Sequence, residues 1–391
     1  MLFIGYWGAN EGLSQATINP HLKILAEMDR VQEIHYVSIE RNIEVSYLMP
    51  ENPKIIHQPF ISRNLPLRLL TKILDIIRLK NFVYKLVCEN EIDFIICRSS
   101  LAGVLGYLAN KKFNVSYLVE SFEPHADYML ELGIWSRYGI SYLTQQFWEE
   151  KQKYTASYLL PVAENYKVKL IKEGVSEKRI VTVPCAVNIE RFKFKHSDRS
   201  SIRNQLGISS ETMVGIYVGK FGGLYMKRDA FKLFKVAFHY FENFHLIILT
   251  VQDHDELKYQ LVIHEVPLEK VTILTTSHSD VPSYLSAADF AFSLHKPTSV
   301  SMFLSPIKNG EYWASGLPVL SPPRIGDDSD IILVEHVGVV FKEDLSDTSD
   351  AFTRISKMIN IEERVDGHIR QTAIKYRDFT SIRSFYRLVM I

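Results

Sequence analysis

Short apolar runs rich in β-forming residues alternate with stretches of helical periodicity along most of the chain. This alternation is typical of βαβ units, in which crossover helices join parallel strands. The first set of predicted strands comprises Leu2–Tyr6, Ile34–Ile39, Lys54–Gln58, Phe94–Cys97 and Val115–Val119. The second set comprises Val214–Val218, Leu246–Thr250, Val271–Leu274, Phe290–Phe292 and Pro318–Leu320. The pattern therefore predicts an α/β protein with two parallel sheets.

A polar segment separates the two strand sets. Residues 193–212 contain a run of charged and hydroxyl side chains, which we interpret as an interdomain linker. The predicted domains are residues 1–192 and 193–375, each Rossmann-like, facing each other across a cleft. Residues 376–391 form a last helix whose aromatic side chains need a packing partner, and we expect it to return to the first domain.

Composition excludes several classes of protein. The 391 residues contain 45 Lys plus Arg and 45 Asp plus Glu, a balance that argues against a nucleic-acid partner. The three cysteines are far apart and fit neither a disulfide framework nor a zinc site, which indicates a reducing compartment. The amino terminus lacks the features of a signal peptide, and no apolar run has the length of a membrane span. We expect a cytoplasmic protein.

Candidate chemistry follows the strands, because ligands of open α/β sheets bind beyond the carboxyl ends of the strands. The loop after the first strand offers Gly8, Asn10 and Glu11 as residues of an acceptor or sugar region. Its glycines lack the spacing of a dinucleotide fingerprint, and the chain has no P-loop motif. The alternative is a turn that simply requires glycine.

The loop after the fifth strand concentrates ionisable side chains, namely Glu120, Glu123, His125 and Asp127. Such a loop can orient an acceptor hydroxyl, so we predict catalytic roles for Glu123 and His125 and acceptor contacts for Glu120 and Asp127. Ordinary surface or core positions are the alternative.

A glycine-rich loop with lysines opens the second domain. Gly219 and Gly222 allow close backbone approach, and Lys220 and Lys227 supply positive charge, so the loop suits a diphosphate. A hairpin turn with solvated lysines is the alternative. Further along, Lys308 and Glu311 occupy the start of a short helix before a glycine stop, where Glu311 can accept two hydrogen bonds from a ribose diol.

At this helix the chain resembles the retaining glycosyltransferases of family 4, which have the GT-B fold. The matching positions are Pro306, Lys308, Glu311, Tyr312, Ala314, Gly316, Pro318 and Val319. Weaker matches lie at residues 183–192, 218–220 and 284–289. The resemblance implies a nucleotide sugar in the second domain, with UDP or GDP as the nucleotide. Lys220 and Lys227 would then contact the diphosphate, Glu311 would contact the ribose, and the anomeric configuration would be retained.

The resemblance also implies a hydroxyl acceptor at the first domain, no cofactor and no metal, since lysines can neutralise the diphosphate. One departure concerns the donor sugar, because many family members carry a glutamate where this chain has Phe303. Two alternatives therefore stay open: a nucleotide-sugar epimerase of the same fold, and a non-catalytic nucleotide-sugar-binding protein.

A basic amphipathic stretch from Arg63 to Lys85 raises a last question. Its bases interleave with apolar residues, a pattern found in helices that lie on anionic membranes. Peripheral membrane contact on the inner face and a lipid-linked acceptor are one interpretation. The other is a helix that buries its apolar face in the first domain.

Overall fold

The computed structural model describes residues 1–41, 46–63 and 68–389, with the side chains of residues 68–73 excepted. The chain divides into two compact units. Unit 1 comprises Met1–Pro184 together with Thr380–Ile391, and unit 2 comprises Cys185–Phe379. The first boundary therefore lies at 184/185 and not at the predicted 192/193, and the second at 379/380 and not at 375/376.

Unit 1 is a six-stranded parallel sheet flanked by helices. Its strands are β1 Leu2–Ile4, β2 Ile34–Glu40, β3 Ile55–Ile61, β4 Phe94–Arg98, β5 Ser116–Phe122 and β6 Tyr158–Pro161. Its helices are α1 Gly12–Thr17, α2 Asn19–Ala26, α3 Arg68–Glu89, α4 Ser99–Phe113, α5 His125–Glu131, α6 Ile140–Thr155, α7 Glu164–Lys172 and, from the end of the chain, α16 Thr380–Val389. The strand order is β3-β2-β1-β4-β5-β6.

Unit 2 repeats this architecture. Its strands are β7 Met213–Val218, β8 Phe244–Leu249, β9 Val271–Leu274, β10 Phe290–Phe292, β11 Val319–Ser321 and β12 Gly338–Val340. Its helices are α8 His196–Gln205, α9 Arg228–Tyr240, α10 His254–Ile263, α11 Val281–Ala287, α12 Ile307–Ala314, α13 Asp328–Glu335, α14 Thr348–Ser356 and α15 His368–Arg377. The order β12-β11-β10-β7-β8-β9 is again fully parallel.

The ten predicted strands are present with small shifts at their ends, but β6 and β12 were missed. Both are short, with four and three residues, and each follows a helix after a brief turn. Buried aliphatic and aromatic side chains fill both faces of the second sheet. Runs this short carry too little periodicity to identify a strand from sequence alone.

The predicted linker was wrong, because part of it is helix α8. Arg199 and Arg203 lie one turn apart on this helix and both reach the carboxylate of Asp289, at 2.6 and 2.8 Å. Asp289 also accepts a hydrogen bond from the backbone N–H of Val214. The arginines of α8 thus form a buried ion cluster with Asp289, and this cluster attaches α8 to the first strand of unit 2. The segment belongs to the core of that unit.

Helix α3 coincides with much of the basic amphipathic stretch, although Leu67 and the side chains of residues 68–73 lie outside the described residues. Leu79, Val83, Leu86 and Val87 are buried with helical spacing, so this part of α3 packs against unit 1. Ile76 and Ile77 are nevertheless exposed. No helix in the described part of the chain is long and apolar enough to cross a membrane.

Candidate functional site

The strand order of unit 2 marks one edge of its sheet as a binding edge. From β7 the chain proceeds outwards through β8 and β9, and from β10 it proceeds the other way through β11 and β12. The loops after β7 and β10 therefore diverge and leave a crevice at the carboxyl ends of these two neighbouring strands. Crevices of this kind are where open α/β sheets bind ligands.

Helix α12 brings Glu311 to this region. Glu311 is only 2% exposed, and its two carboxylate oxygens have different partners. The Lys308 ammonium donates to Oε2 at 3.1 Å, and Nε2 of His278 lies 3.2 Å from Oε1. Each oxygen keeps a further lone pair, so the carboxylate is held in place and can still accept hydrogen bonds from a diol.

Charge neighbours decide the ionisation of Glu311. Burial by itself would raise its pKa, but Lys308 and His278 outweigh that effect and hold the pKa below its usual range. Lys308 and Glu311 were both predicted as site residues. His278 was missed, because it is a lone histidine in the loop after β9 and no motif distinguishes it. The backbone carbonyl of His278 accepts a hydrogen bond from Arg191, which helps to position this loop.

The residue after Glu311 has a structural role. The Tyr312 hydroxyl accepts a hydrogen bond from the backbone N–H of Val218, the last residue of β7, at 3.1 Å. Tyr312 is buried, as is Trp313. Helix α12 is followed by Gly316 at φ +68°, where a Cβ would lie 2.7 Å from the backbone of Arg364. These contacts fix the helix that carries Lys308 and Glu311 relative to the end of β7.

The glycine-rich loop leaves β7 at this same point. Gly222 and Gly223 have φ values of +87° and +65°, a conformation that favours glycine. The Tyr217 hydroxyl donates to the carbonyl of Lys220, and the side-chain carbonyl of Gln252 accepts from the N–H of Phe221 at 2.6 Å. The loop is therefore an ordered turn with several ties to the body of unit 2.

The two predicted lysines of this loop are exposed. Neither the Lys220 nor the Lys227 ammonium group has a hydrogen-bond or ion-pair partner among the described residues. Lys227 directly precedes helix α9, where the exposed N–H groups at a helix start favour anions. Together with Gly219 and Gly222, the loop thus offers positive charge, backbone donors and close access at the carboxyl end of β7.

Phe303, which stands where many family 4 members have a glutamate, is a buried residue of the loop after β10. It lies in the short helical turn Ser301–Phe303 and is only 7% exposed. The hydroxyl oxygen of Ser301 lies 2.9 and 2.8 Å from the carbonyl oxygens of Thr298 and Arg324, either of which can accept its one proton, so this side chain organises the loop after β10. The structure therefore places no carboxylate in this turn.

A pocket opens beside the glycine-rich loop. Its volume is about 300 Å³, and segments after β7, β10, β11 and β12 line it. Lys227 and Lys296 are its cationic residues, with Pro297, Pro322 and Phe341 among its apolar walls. Lys296 was not predicted, because a single lysine in a loop has no pattern around it.

In unit 1 the predicted acceptor residues of the first loop build the loop itself. The Asn10 side chain donates to the carbonyl of Ser46 and accepts from the N–H of Leu48. Glu11 precedes α1 and lies 3.4 Å from the N–H of Gly8. A Cβ at Gly8 would lie 2.8 Å from the carboxylate of Glu40, so a larger residue here would displace that side chain.

Glu120 belongs to the core of unit 1 and is removed from the acceptor candidates. Its carboxylate is 1% exposed, lies 3.2 Å from Arg98 and 3.1 Å from His21, and accepts a hydrogen bond from the Tyr386 hydroxyl. Burial alone would raise its pKa, yet His21, Arg98 and Tyr386 hold it below its usual range. The cluster joins α16 to the sheet. No sequence pattern predicts this cluster, because its members come from four separate segments.

Glu123 and His125 lie immediately after β5, as predicted. Burial raises the pKa of Glu123 to about 7, with Arg98 opposing the shift. Burial lowers the pKa of His125, which is therefore neutral near pH 7. Asp127 follows one turn into α5 and contacts Tyr142 and Lys169 at 3.3 and 3.4 Å. The loop thus pairs an acid that titrates near neutrality with a neutral imidazole.

The comparisons with known proteins are limited to structures. No family model and no curated protein sequence matches the chain. Sucrose-phosphate synthase from Thermosynechococcus elongatus is 14% identical, with a TM-score of 0.73 over 99% of this chain and 98% of that chain. HepE from Anabaena in complex with UDP-glucose is 14% identical, with a TM-score of 0.70 over 100% and 98%. WaaG, a glycosyltransferase involved in lipopolysaccharide biosynthesis, is 15% identical, with a TM-score of 0.67 over 100% and 98%.

A protein of another class also matches. It comes from Listeria monocytogenes, is assigned as a UDP-N-acetylglucosamine 2-epimerase and is 12% identical, with a TM-score of 0.60 over 99% and 96%. Identities this low establish the fold and leave the activity to be argued from the site. The chain has the GT-B fold with two Rossmann-like α/β units, which confirms the predicted fold class.

Proposed function

We propose that the protein is a glycosyltransferase that moves a sugar from a nucleotide diphosphate sugar to a hydroxyl acceptor. The observation that carries this proposal is the arrangement of Lys308, Glu311 and His278 beside a loop with two unpaired lysines. A ribose diol, a diphosphate and a sugar require a carboxylate acceptor, cations and an adjoining pocket, and unit 2 supplies all three. Neighbouring structures with bound UDP and UDP-glucose support UDP as the nucleotide.

The chemistry proposed for unit 2 is charge stabilisation. When the bond between the anomeric carbon and the diphosphate oxygen breaks, negative charge grows on the leaving diphosphate. Lys220, Lys227 and the backbone donors at the start of α9 stabilise that charge without a metal ion. Retention of the anomeric configuration is part of the proposal and is supported by the resemblance to family 4 around Glu311.

The acceptor is assigned to unit 1. Glu123 is the candidate that receives the proton of the acceptor hydroxyl, because a carboxylate with a pKa of about 7 is half ionised at neutral pH. Neutral His125 is placed two residues away to orient the same hydroxyl. Asp127 is kept as a second acceptor contact.

The acceptor class is proposed to be a lipid-linked sugar or polyol, as part of surface glycoconjugate synthesis. Support comes from the corner between α5 and α6, defined as residues 132–148 and including the first turns of α6, which contains one base, Arg137, and no acidic residue. Tyr138 and Ile140 are 87% and 85% exposed there, and Ile134, Leu143 and Phe147 are also exposed. Aromatic and branched side chains with one base are the composition of surfaces that lie in a membrane interface.

One assay separates this proposal from its two alternatives. The protein is incubated with UDP-, GDP- and TDP-sugars, with and without lipid-linked acceptors, and free nucleotide, glycosylated product and epimerised sugar are quantified separately. A transferase releases nucleotide diphosphate with formation of glycosylated product. An epimerised sugar without transfer would favour the epimerase, and tight binding without turnover would favour the non-catalytic protein.

A further inference from the structure

Two lysines lie together in the pocket beside the glycine-rich loop. Lys227 comes from the loop after β7 and Lys296 from the loop after β10. Backbone hydrogen bonds of 2.8 Å join the two segments, from the N–H of Met226 to Leu294 and from the N–H of Lys296 to Leu224. The positions of these two lysines along the chain are therefore fixed relative to each other by the fold.

The positive charge of this pocket is not neutralised by the protein. Lys296 and Lys227 are exposed, and their ammonium groups have no hydrogen-bond or ion-pair partner among the described residues. The two acids that line the pocket are already engaged, since Asp229 accepts from Lys232 at 2.9 Å and Glu343 accepts from Arg324 at 2.6 Å. Two cations held in one concave site without a counter-ion raise the local potential and attract an anion.

The neighbouring histidine does not change this charge. His295 is buried against the ring of Tyr225, with ring centroids 4.8 Å apart, and burial lowers its pKa to about 4. It is therefore neutral at physiological pH, and Lys296 supplies the charge of the β10 loop in this pocket. In the same loop, the turn at Phe303 adds no carboxylate that would repel an anionic ligand.

We propose that Lys296 binds an oxyanion of the donor in this pocket, as a third cation beside Lys220 and Lys227. The inference rests on the proposed function, since the anion belongs to the nucleotide sugar. A sugar nucleotide carries two negative charges on its diphosphate, which Lys220 and Lys227 can balance. The third lysine serves either the distal phosphate or an acidic group on the sugar itself. Both sources present negatively charged oxygens that accept hydrogen bonds from an ammonium group.

The test compares Lys296→Gln with the parent protein and with Lys270→Gln. Lys270 is exposed, has no partner among the described residues and precedes β9, so it lies at the opposite edge of the same sheet. Binding of UMP, UDP, UDP-glucose and UDP-glucuronate is measured by calorimetry at two salt concentrations. Because the Lys296 ammonium group makes no hydrogen bond or ion pair with the described residues, the melting temperatures of all three proteins should agree.

The expected result is a loss of about tenfold in affinity that is specific to one anionic group. If Lys296 binds the distal phosphate, the substitution weakens UDP and both UDP-sugars and leaves UMP unchanged. If it binds an acidic sugar, only UDP-glucuronate is weakened, and the parent protein prefers it to UDP-glucose. Equal affinities of the variant and the parent for all four ligands, or an effect equal to that of Lys270→Gln, would overturn the proposal.

Failure of this inference and failure of the proposed function give different results. If the parent protein binds none of these nucleotides, nor their GDP and TDP counterparts, the proposed function is wrong. If it binds them and Lys296→Gln binds them equally well, the nucleotide site stands and only the role of Lys296 is refuted.

Discussion

The Oε1 atom of Glu311 lies 3.2 Å from Nε2 of His278, while its Oε2 atom accepts from Lys308 at 3.1 Å. One buried carboxylate is thus held by a cation of its own helix, Lys308, and by His278 from the loop after β9. Because Lys308 and His278 hold its pKa below the usual range against the effect of burial, the carboxylate is ionised at neutral pH and can accept hydrogen bonds there. This arrangement makes the ribose assignment directly testable.

Replacement of Glu311 by Gln should weaken UDP binding by about 10- to 100-fold, since a hydrogen bond to a charged group contributes roughly 1.5–3 kcal/mol. The loss should be confined to ligands with a ribose diol. The affinities of UDP and of 2′,3′-dideoxy-UDP are compared by calorimetry for the parent protein and for Glu311→Gln. The two substitutions, one in the ligand and one in the protein, should not be additive.

Glu269→Gln provides the matched control, because Glu269 is an exposed acid in the turn before β9 of the same unit. It should leave both affinities unchanged. A Glu311→Gln protein that is folded by circular dichroism and loses equal affinity for both nucleotides would show that Glu311 does not contact the diol.

Replacement of Glu120 by Gln should lower stability and leave acceptor binding unchanged. The substitution removes the charge that compensates Arg98 inside unit 1, and breaking a buried ion pair costs on the order of 3 kcal/mol. The depressed pKa of Glu120 contributes stability that is present above pH 4.5 and is lost as pH falls, so the difference between the two proteins should shrink in acid. Urea unfolding at several pH values measures this.

Kinetic measurements distinguish this structural role of Glu120 from a role in acceptor binding. Tyr386→Phe, which removes one donor to the same carboxylate, should cost roughly 1–2 kcal/mol and also leave KM for the acceptor unchanged. If either variant is fully folded and has an increased KM for the acceptor, Glu120 contributes to acceptor binding after all.

Residues within one short motif could be predicted from the sequence, whereas ion clusters between distant segments could not. Lys308 and Glu311 were predicted together because both lie in one short stretch, residues 306–319, that resembles family 4. The core role of Glu120 was not identifiable, because Arg98, His21 and Tyr386 approach it from other elements. The buried face of α8 was not predicted for a related reason. Arg199 and Arg203 lie in a polar segment, and only the fold brings both of them to Asp289. Local motifs predict local sites, whereas ion clusters depend on the tertiary fold.

Glu123→Gln should remove an ionisation near pH 7 from the pH dependence of activity. If Glu123 accepts the proton of the acceptor hydroxyl, kcat/KM of the parent protein rises with pH and levels off above its pKa of about 7. The variant should lose about 10²- to 10⁴-fold of kcat and should show no such rise. Initial rates from pH 5.5 to 8.5 measure both effects, with Glu51→Gln as an exposed acidic control in unit 1.

The raised pKa of Glu123 also predicts how the stability of the protein changes with pH. Since burial raises the pKa of Glu123, the folded state binds its proton more tightly than the unfolded state between about pH 4.5 and 7. Stability is therefore lost as pH rises through this range, and the Gln variant should lose less of it, by roughly 1–3 kcal/mol. Glu149 has a pKa raised to about 7 in the same unit, so the difference between the two proteins is the relevant quantity. Identical pH profiles of rate and stability would exclude Glu123 as the base.

Removal of exposed apolar side chains from the corner between α5 and α6 should abolish binding to anionic vesicles. Tyr138→Ser with Ile140→Ser deletes the two most exposed of these side chains, and neither supports the core. Ile76→Ser with Ile77→Ser tests the exposed face of α3, which carries the basic stretch first considered for membrane contact.

Val334→Ser, at a residue of unit 2 that is 72% exposed, controls for a general loss of surface hydrophobicity. Co-sedimentation with vesicles of anionic or zwitterionic lipid is measured at low and high salt, because burial of apolar groups persists in salt whereas attraction of bases is screened. If the protein with Tyr138→Ser and Ile140→Ser sediments as much as the parent protein, the corner is not a membrane surface. The proposal of a lipid-linked acceptor then has no structural support.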